Sequence, residues 1–289
     1  MFIIKYKAFF IGLSVALVIG SLALMNIYGI KRGIDFTGGS VIDVTYTKDV
    51  PALTASSFEK EGITLYNTGD ATYRFVSPKT YEVISPVIDK LGNQAGKYPF
   101  EYTQVSTVGP TLGAEMTKKA IIALAVVVLA ILAFIAFSFR EVSLPVASWK
   151  YGVIAMVTLL HDIIIPTGVF ALFSYKFGAE IDTLFIIALL TIIGISISDK
   201  IVVFDRIREN LKSNSKRQFE DVVGISLKQT FTRSINTSVT VILALLALYF
   251  FGPVATKYFT LTLIIGMIVG TYSSIFVASP LLTVWNSKK

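Results

Sequence analysis

Six apolar runs divide this chain, near Phe9–Tyr28, Ala120–Phe139, Val153–Phe173, Leu184–Phe204, Ser234–Phe251 and Tyr258–Trp285. Each approaches the ~20 residues that a helix needs to cross a bilayer core. No water reaches backbone N–H and C=O groups there, so such runs must satisfy them internally as helices. Composition supports the reading, since 54% of the 289 residues are hydrophobic and 16% are charged. A soluble domain carries far more charge. The sequence therefore predicts a polytopic α-helical membrane protein with six transmembrane helices. The first run follows Lys5 and Lys7 and has no small-x-small cleavage site. It also exceeds the ~7–15 residue core of a signal peptide, so it is expected to stay as a permanent anchor.

Loop charge sets orientation, because short cytoplasmic loops carry the Lys and Arg excess. With the N-terminus inside, thirteen Lys and Arg fall on inner segments, among them Lys5, Lys7, Arg140, Lys150, Lys216, Arg217, Lys288 and Lys289. The short outer loops hold Lys176 and Lys257. Both termini are thus expected in the cytoplasm, and the net charge of +7 reads as a topology signal rather than a nucleic-acid footprint. With no cysteine and one histidine, the chain has no disulfide or thiolate metal chemistry and no multi-histidine zinc site.

The expected division is helix one at 1–29, an extracytoplasmic domain at 30–118, helices two to six at 119–285, and a tail at 286–289. The outer domain reads as α+β. Strands are expected at Ser40–Tyr46, Ile63–Tyr66, Thr72–Val76 and Phe100–Ser106, with helices at Ala52–Glu61 and from Ser77-Pro78 to Leu91. Asn67–Asp70 carries the turn signal between the middle strands. The order β-α-β-β-α-β suggests a ferredoxin-like split βαβ unit. Between helices four and five, a cytoplasmic segment at about 206–232 places Phe219, Val222, Val223, Ser226, Leu227 and Thr230 on one side at helical spacing. It is expected to lie amphipathically at the lipid headgroups.

Polar residues inside the spans stand out, because a carboxylate at mid-bilayer costs ~2.5–3.5 kcal/mol on insertion scales. Asp199 lies about 7 Å cytoplasmic of its helix centre at 1.5 Å per residue, with Ser196 near the same face. Gly194, Ser196 and Ser198 allow a neighbouring helix to approach. Two readings remain open for Asp199: an ion-coupling acid, or an acid solvated at a helix end beside Lys200. His161-Asp162 sits near the middle of helix three. These neighbours point about 100° apart and need not share a cavity. Both fit a polar ion track, or side chains bonded to Ser and Thr on other helices. Arg233 begins helix five, either as a snorkelling anchor or as a partner for Asp199. Asp205, Arg206, Arg208 and Glu209 read as a solvated cluster.

Two glycine signatures flank the outer domain, Gly33-Ile-Asp-Phe-Thr-Gly-Gly-Ser40 and Val108-Gly-Pro-Thr-Leu-Gly113. They suit sharp redirection, and no Lys-Ser or Lys-Thr follows at phosphate-loop spacing. Gly266-x-x-x-Gly270 is a helix-packing motif.

These glycine signatures, His161-Asp162, Asp-x-Ile-Val-Val-Phe-Asp-Arg-Ile-Arg-Glu-Asn at 199–210 and Gly270-Thr-Tyr-Ser-Ser-Ile-Phe-Val-Ala-Ser-Pro280 together resemble the SecD/SecF family of bacterial protein-export membrane proteins, on the side of the smaller partner. The resemblance covers essentially the whole chain. It implies a non-enzymatic subunit that works with SecD, the SecY channel and the SecA motor, using the proton or sodium gradient to help unfolded secretory chains finish crossing the cytoplasmic membrane. It places the coupling acid on Asp199 and an essential arginine on Arg233, with Asp162 and His161 in the polar track. Asp35, Gly38, Gly39, Asp205 and Arg206 belong to the signature. No cofactor or metal is implied beyond the coupling ion. The family commonly shows Asn-Asp-Thr or Asn-Asp-Ser where this chain has Ser198-Asp199-Lys200. The alternatives are a subunit of a proton-driven lipid or small-molecule exporter, and a passive assembly subunit.

Overall fold

The computed structural model describes residues 2–47, 50–51, 53–69, 71–94, 96–138, 147–213 and 217–286. Arg140, Lys216, Lys288 and Lys289 of the orientation argument lie outside them, as do Ala52, Asp70, Phe139 and the tail beyond Asn286. In chain order the helices are α1 (Phe2–Lys5), α2 (Lys7–Tyr28), α3 (Ile34–Thr37), α4 (Ala55–Glu59), α5 (Tyr81–Gly92), α6 (Pro110–Ser138), α7 (Ser148–Phe177), α8 (Thr183–Ser213), α9 (Phe219–Phe251), α10 (Lys257–Ser273) and α11 (Ser279–Asn286). The strands are β1 (Gly39–Tyr46), β2 (Thr64–Asn67), β3 (Thr72–Ser77) and β4 (Phe100–Val108). Two compact units result: Ile30–Ala123 with Phe173–Thr183, and Met1–Gly29 with Leu124–Leu172 and Leu184–Lys289.

The first unit holds the sheet, in the order β2-β3-β1-β4 with antiparallel neighbours. Strands joined through α4 (β1 and β2) therefore flank β3, and strands joined through α5 (β3 and β4) flank β1. This interleaving is what a split βαβ pair requires. Ile42, Val44, Phe58, Phe75, Ile84 and Ile88 bury one face against the two helices. On the other face Asp43 and Arg74 stand opposite each other in the β1–β3 register. Arg74 Nε and Nη2 donate to the two carboxylate oxygens at 2.7 and 2.8 Å, a charge-assisted pair that pins the register. The helices are shorter than expected. Ser77 completes β3 and bonds Gly62 O, so α5 starts only at Tyr81, after Thr80.

The membrane unit contains helices long and apolar enough to span a bilayer, six in all among the described residues. Three of them bury little: the apolar stretches of α2, of the span Pro110–Ile135 and of α9 are 11%, 6% and 11% buried, against 61% for Trp149–Phe177 and Lys257–Asn286. These three leave side chains such as Ile19, Ile121, Leu129 and Leu243 exposed, as a lipid-facing surface requires. The core joins Tyr151 and Ile154 of α7, Val203, Phe204 and Ile207 of α8, Val223 and Leu227 of α9, and Ile275, Ala278 and Leu282 of the last span. That last span is not one regular helix. A π-turn at Ser274–Ala278 separates α10 from α11, and such turns collect at functional sites.

Two expectations change. Residues 206–213 continue α8 and 219–232 form the first part of α9, so there is no separate headgroup helix between them among the described residues. The apolar side seen in the sequence is real, but Val222, Val223, Ser226 and Leu227 are buried against protein rather than lipid. Asn210 Nδ2 donates to Ser226 Oγ at 2.8 Å and ties the two helices together. Likewise α6 begins at Pro110, so the expected boundary at 118 falls inside a helix.

Candidate functional site

Helix α8 carries two different polar surroundings on adjacent residues. Ser196 and Lys200 are four apart and share one stripe, while Asp199 is turned about 100° from Lys200. The stripe faces α7 and α10; Asp199 faces α9.

The first surrounding is centred on Asp162 of α7, which is fully buried, as is Lys200. Lys200 Nζ donates to Asp162 Oδ2 at 2.5 Å. Ser196 Oγ donates to the same oxygen at 2.5 Å and Ser273 Oγ at 2.8 Å. Lys200 also donates to Ser196 Oγ. The other carboxylate oxygen, Oδ1, lies 2.9 Å from His161 Nδ1. An ionised carboxylate only accepts, which places the ring hydrogen on Nδ1 and leaves Nε2 to accept from Ser14 Oγ of α2 at 2.8 Å. Neighbours expected to look in different directions are thus bonded to one another. The reading that Lys200 keeps near water is corrected: its ammonium lies inside the protein, on a carboxylate of another helix.

The second surrounding is a crevice of about 330 Å³ lined by Gly194, Ser196, Ser198, Asp199, Arg233, Thr237, Ser238, Gly266, Gly270 and Thr271. Gly266 and Gly270 let α10 approach α8 there; a Cβ on Gly266 would meet Ile192 at 2.2 Å. Ser234 Oγ donates to Asp199 Oδ1 at 2.5 Å. Asp199 Oδ2 is buried and has no hydrogen-bond partner among the described residues. Ser238 bonds Thr271 across the crevice. Arg233 lies 14 residues inside α9 rather than at its start. It lines this crevice and also a second cavity of about 330 Å³ formed by Val202, Asp205, Arg206, Glu209, Gln229 and Thr230. Arg233 is thus common to the Asp199 crevice and to the cavity at the charged end of α8. There, Arg206 pairs with Glu209 and donates to Gln229 Oε1 at 2.7 Å, and Arg208 approaches Asp205 at 3.8 Å. Asp205 and Glu209 are two-thirds exposed, as a solvated cluster should be.

The signature residues Asp35, Gly38 and Gly39 lie in the unit that holds the sheet. Asp35 Oδ2 accepts from Thr183 N at 2.9 Å, placing a carboxylate at the first turn of α8. Gly38 and Gly39 have φ of +75° and +121°. A Cβ on Gly39 would meet Ser77 O at 2.3 Å, and one on Gly38 would meet Pro110 Cα at 2.7 Å. The two glycine signatures, expected to redirect the chain sharply, are packed on each other.

Sequence reasoning missed Ser14, Ser273 and the structural place of Lys200. Lone serines in apolar runs carry no signal until the helices are paired. The i, i+4 spacing of Ser196 and Lys200 was the one available clue. Among the described residues, no three His, Asp or Glu side chains group as metal ligands.

With this geometry in hand, similarities to known proteins fall on the same residues. The family model "Protein export membrane protein SecD/SecF, C-terminal" matches residues 87–288, and "SecD/SecF GG Motif" matches residues 24–50, around Gly38 and Gly39. The protein translocase subunit SecF of Thermobaculum terrenum is 41% identical over 99% of this chain and 94% of its own length. That of Anaerolinea thermophila is 35% identical over 99% and 94%. The crystal structure of SecDF from Thermus thermophilus, described as a translocon-associated membrane protein, superposes with a TM-score of 0.84 at 29% identity. It covers 98% of this chain, which spans only 38% of that longer one. The chain belongs to the SecD/SecF family of protein export membrane proteins.

Proposed function

We propose that this chain is the SecF-type subunit of a protein translocase, working beside SecD to draw on the proton or sodium gradient during late steps of export through the Sec channel. Its setting is the bacterial cytoplasmic membrane, with both termini in the cytoplasm. SecY, SecA and an unfolded secretory polypeptide are the further partners, and no covalent chemistry is performed. The similarity to SecF subunits favours this reading over a lipid or small-molecule exporter.

The observation that carries ion coupling is the Asp199 carboxylate. One of its oxygens is held by Ser234 and the other is buried without a hydrogen-bond partner among the described residues, in a crevice shared with Arg233. An unpartnered carboxylate oxygen is a place for a proton to land. While Asp199 is charged it draws the Arg233 guanidinium; once neutral it releases it, and the α8–α9 contact can repack. One elementary charge crossing 100 mV delivers about 2.3 kcal/mol, enough to bias a two-state packing equilibrium. That repacking would act on the outer domain, which handles the emerging polypeptide.

The test is reconstitution with SecD and the Sec channel in vesicles, with an imposed proton or sodium gradient. Asp199→Asn should fold and assemble yet lose the gradient-stimulated part of translocation. Full stimulation in that variant would refute the coupling role. Lost assembly alongside lost stimulation would point to a packing role instead.

A further inference from the structure

The Asp162 cluster is not needed for the coupling scheme above, yet Asp162, Lys200 and Ser273 are fully buried and Ser196 nearly so. Its geometry has the form of an ion site. The Lys200 ammonium lies against two oxygens, Asp162 Oδ2 of α7 and Ser196 Oγ of α8, while Ser273 Oγ of α10 donates to the same carboxylate oxygen and holds it in place. The positive charge thus sits at the heart of the core. Asp162 Oδ2 accepts from Lys200, Ser196 and Ser273, and Ser196 Oγ accepts in turn from Lys200. His161, fixed between Ser14 and Asp162 Oδ1, takes up the second carboxylate oxygen. All the charge balance is therefore made between one acid and one ammonium.

We propose that Asp162 Oδ2 and Ser196 Oγ, with Ser273 bracing the carboxylate, form a monovalent-cation site whose ion is supplied by the chain itself, as the ammonium of Lys200. A compact, strongly charged ammonium makes the same demand as a small alkali cation: hard oxygen donors at close range. One carboxylate matches one positive charge, which selects a monovalent over a divalent ion. Lys200 reaches the site from Ser196's own stripe, one turn along α8, and so ties α8 to α7 without any diffusible ion, while Ser273 joins α10 to the same carboxylate. Two consequences follow. In the native chain this site is closed to Na⁺, and Lys200 is the residue that closes it. With the ammonium removed, the remaining oxygens keep their charge deficit and their convergence, and the site becomes one for Na⁺. The inference concerns α7, α8 and α10 alone. It stands whether or not Asp199 carries the coupling ion.

The experiment uses the purified full chain in detergent, in NaCl, KCl or choline chloride at equal ionic strength. The proteins are the native chain, Lys200→Ala, Lys200→Thr and Lys200→Ala with Asp162→Asn. For the single variants we expect saturable ²²Na⁺ binding of about one ion per chain, and a thermal-unfolding midpoint that climbs by roughly 5–10 °C in saturating Na⁺ but not in choline. The native chain and the double variant should show neither. If the single variants fold only when Na⁺ is present, that rescue supports the site equally. The proposal is overturned if the folded single variants bind no Na⁺, since Asp162 then takes a proton. It is also overturned if they fail to fold in every salt, or if the native chain binds Na⁺ in a manner that Asp162→Asn abolishes.

Discussion

Asp162 and Lys200 are a fully buried ion pair, and burial makes such pairs asymmetric in their energetics. Desolvating two charges offsets most of their attraction, so replacing both by well-packed neutral groups is often nearly neutral. Removing one leaves the other stranded. Lys200→Met in choline buffer should therefore lower stability by about 3–5 kcal/mol, and adding Asp162→Asn should recover much of that loss. Chemical unfolding in detergent, read as a double-mutant cycle, checks this. If the loss in Lys200→Met were below about 1 kcal/mol, the ammonium would not be the principal partner of Asp162. At this scale the sequence was half legible. Two acids in apolar helices are visible without coordinates, because each is costly unless used. Their partners are not visible. One of the two readings open for Asp199 gives it solvated surroundings shared with Lys200, but a helix turns adjacent residues to different neighbours. The partner of Asp162 lay 38 positions away on another helix.

Among the elements, the segment joining α8 to α9 shows how a periodic pattern can be right while its environment is misjudged. An apolar stripe reports that a helix face is covered, not whether lipid or protein covers it. Here Leu227 and Val223 pack on Ile207 and Phe204. Leu227→Ala should then cost about 2–5 kcal/mol, whereas Leu243→Ala, on an exposed part of the same helix, should stay within about 0.5 kcal/mol. Thermal unfolding of both in the same detergent separates core from headgroup contact. The outer unit offers a second element-level prediction. Glu180, on the connection between α7 and α8, has its carboxyl lifted from 4.5 to about 7 by burial, against the opposing pull of Arg74 and Lys31 and with a smaller push from Asp182. The native fold thus favours its neutral form. Its contribution is complete below about pH 4.5 and is lost as pH rises to about 7, a change on the order of 1–3 kcal/mol. Hydrogen exchange across 173–183 should accelerate between pH 5 and 8 beyond its intrinsic dependence. Glu180→Gln should remove the excess. An unchanged excess in that variant would show that another group titrates.

For the molecule as a whole, sequence and structure agree on what the bilayer dictates and diverge where helices choose partners. The six spans and the α+β unit between the first two follow from apolar run length and alternation, and these were readable in advance; the strand order β2-β3-β1-β4 comes from the pairing itself. The π-turn at Ser274–Ala278 and the grouping of Ser14, Ser196 and Ser273 depend on tertiary pairing and were not. The same division explains the crevice. α9 keeps Arg233 and Thr237 on its exposed side, next to Asp199, while Leu243 farther along is exposed as apolar surface. Charged and apolar exposure on one helix cannot both be matched by lipid, since a guanidinium in hydrocarbon is costly. The crevice therefore belongs to a face covered by water or by a polar partner. The chain has no cysteine, so single cysteines report on each face without background. In the isolated chain, Thr237→Cys should react readily with a charged, membrane-impermeant thiol reagent, because the thiolate that reacts needs water. Leu243→Cys, in contact with detergent or lipid tails, should react far more slowly. Assembly with SecD should slow the Thr237→Cys reaction and leave Leu243→Cys unchanged. If both positions reacted alike, or if SecD protected Leu243→Cys in place of Thr237→Cys, the partner-facing side of the bundle would have to be sought on another helix.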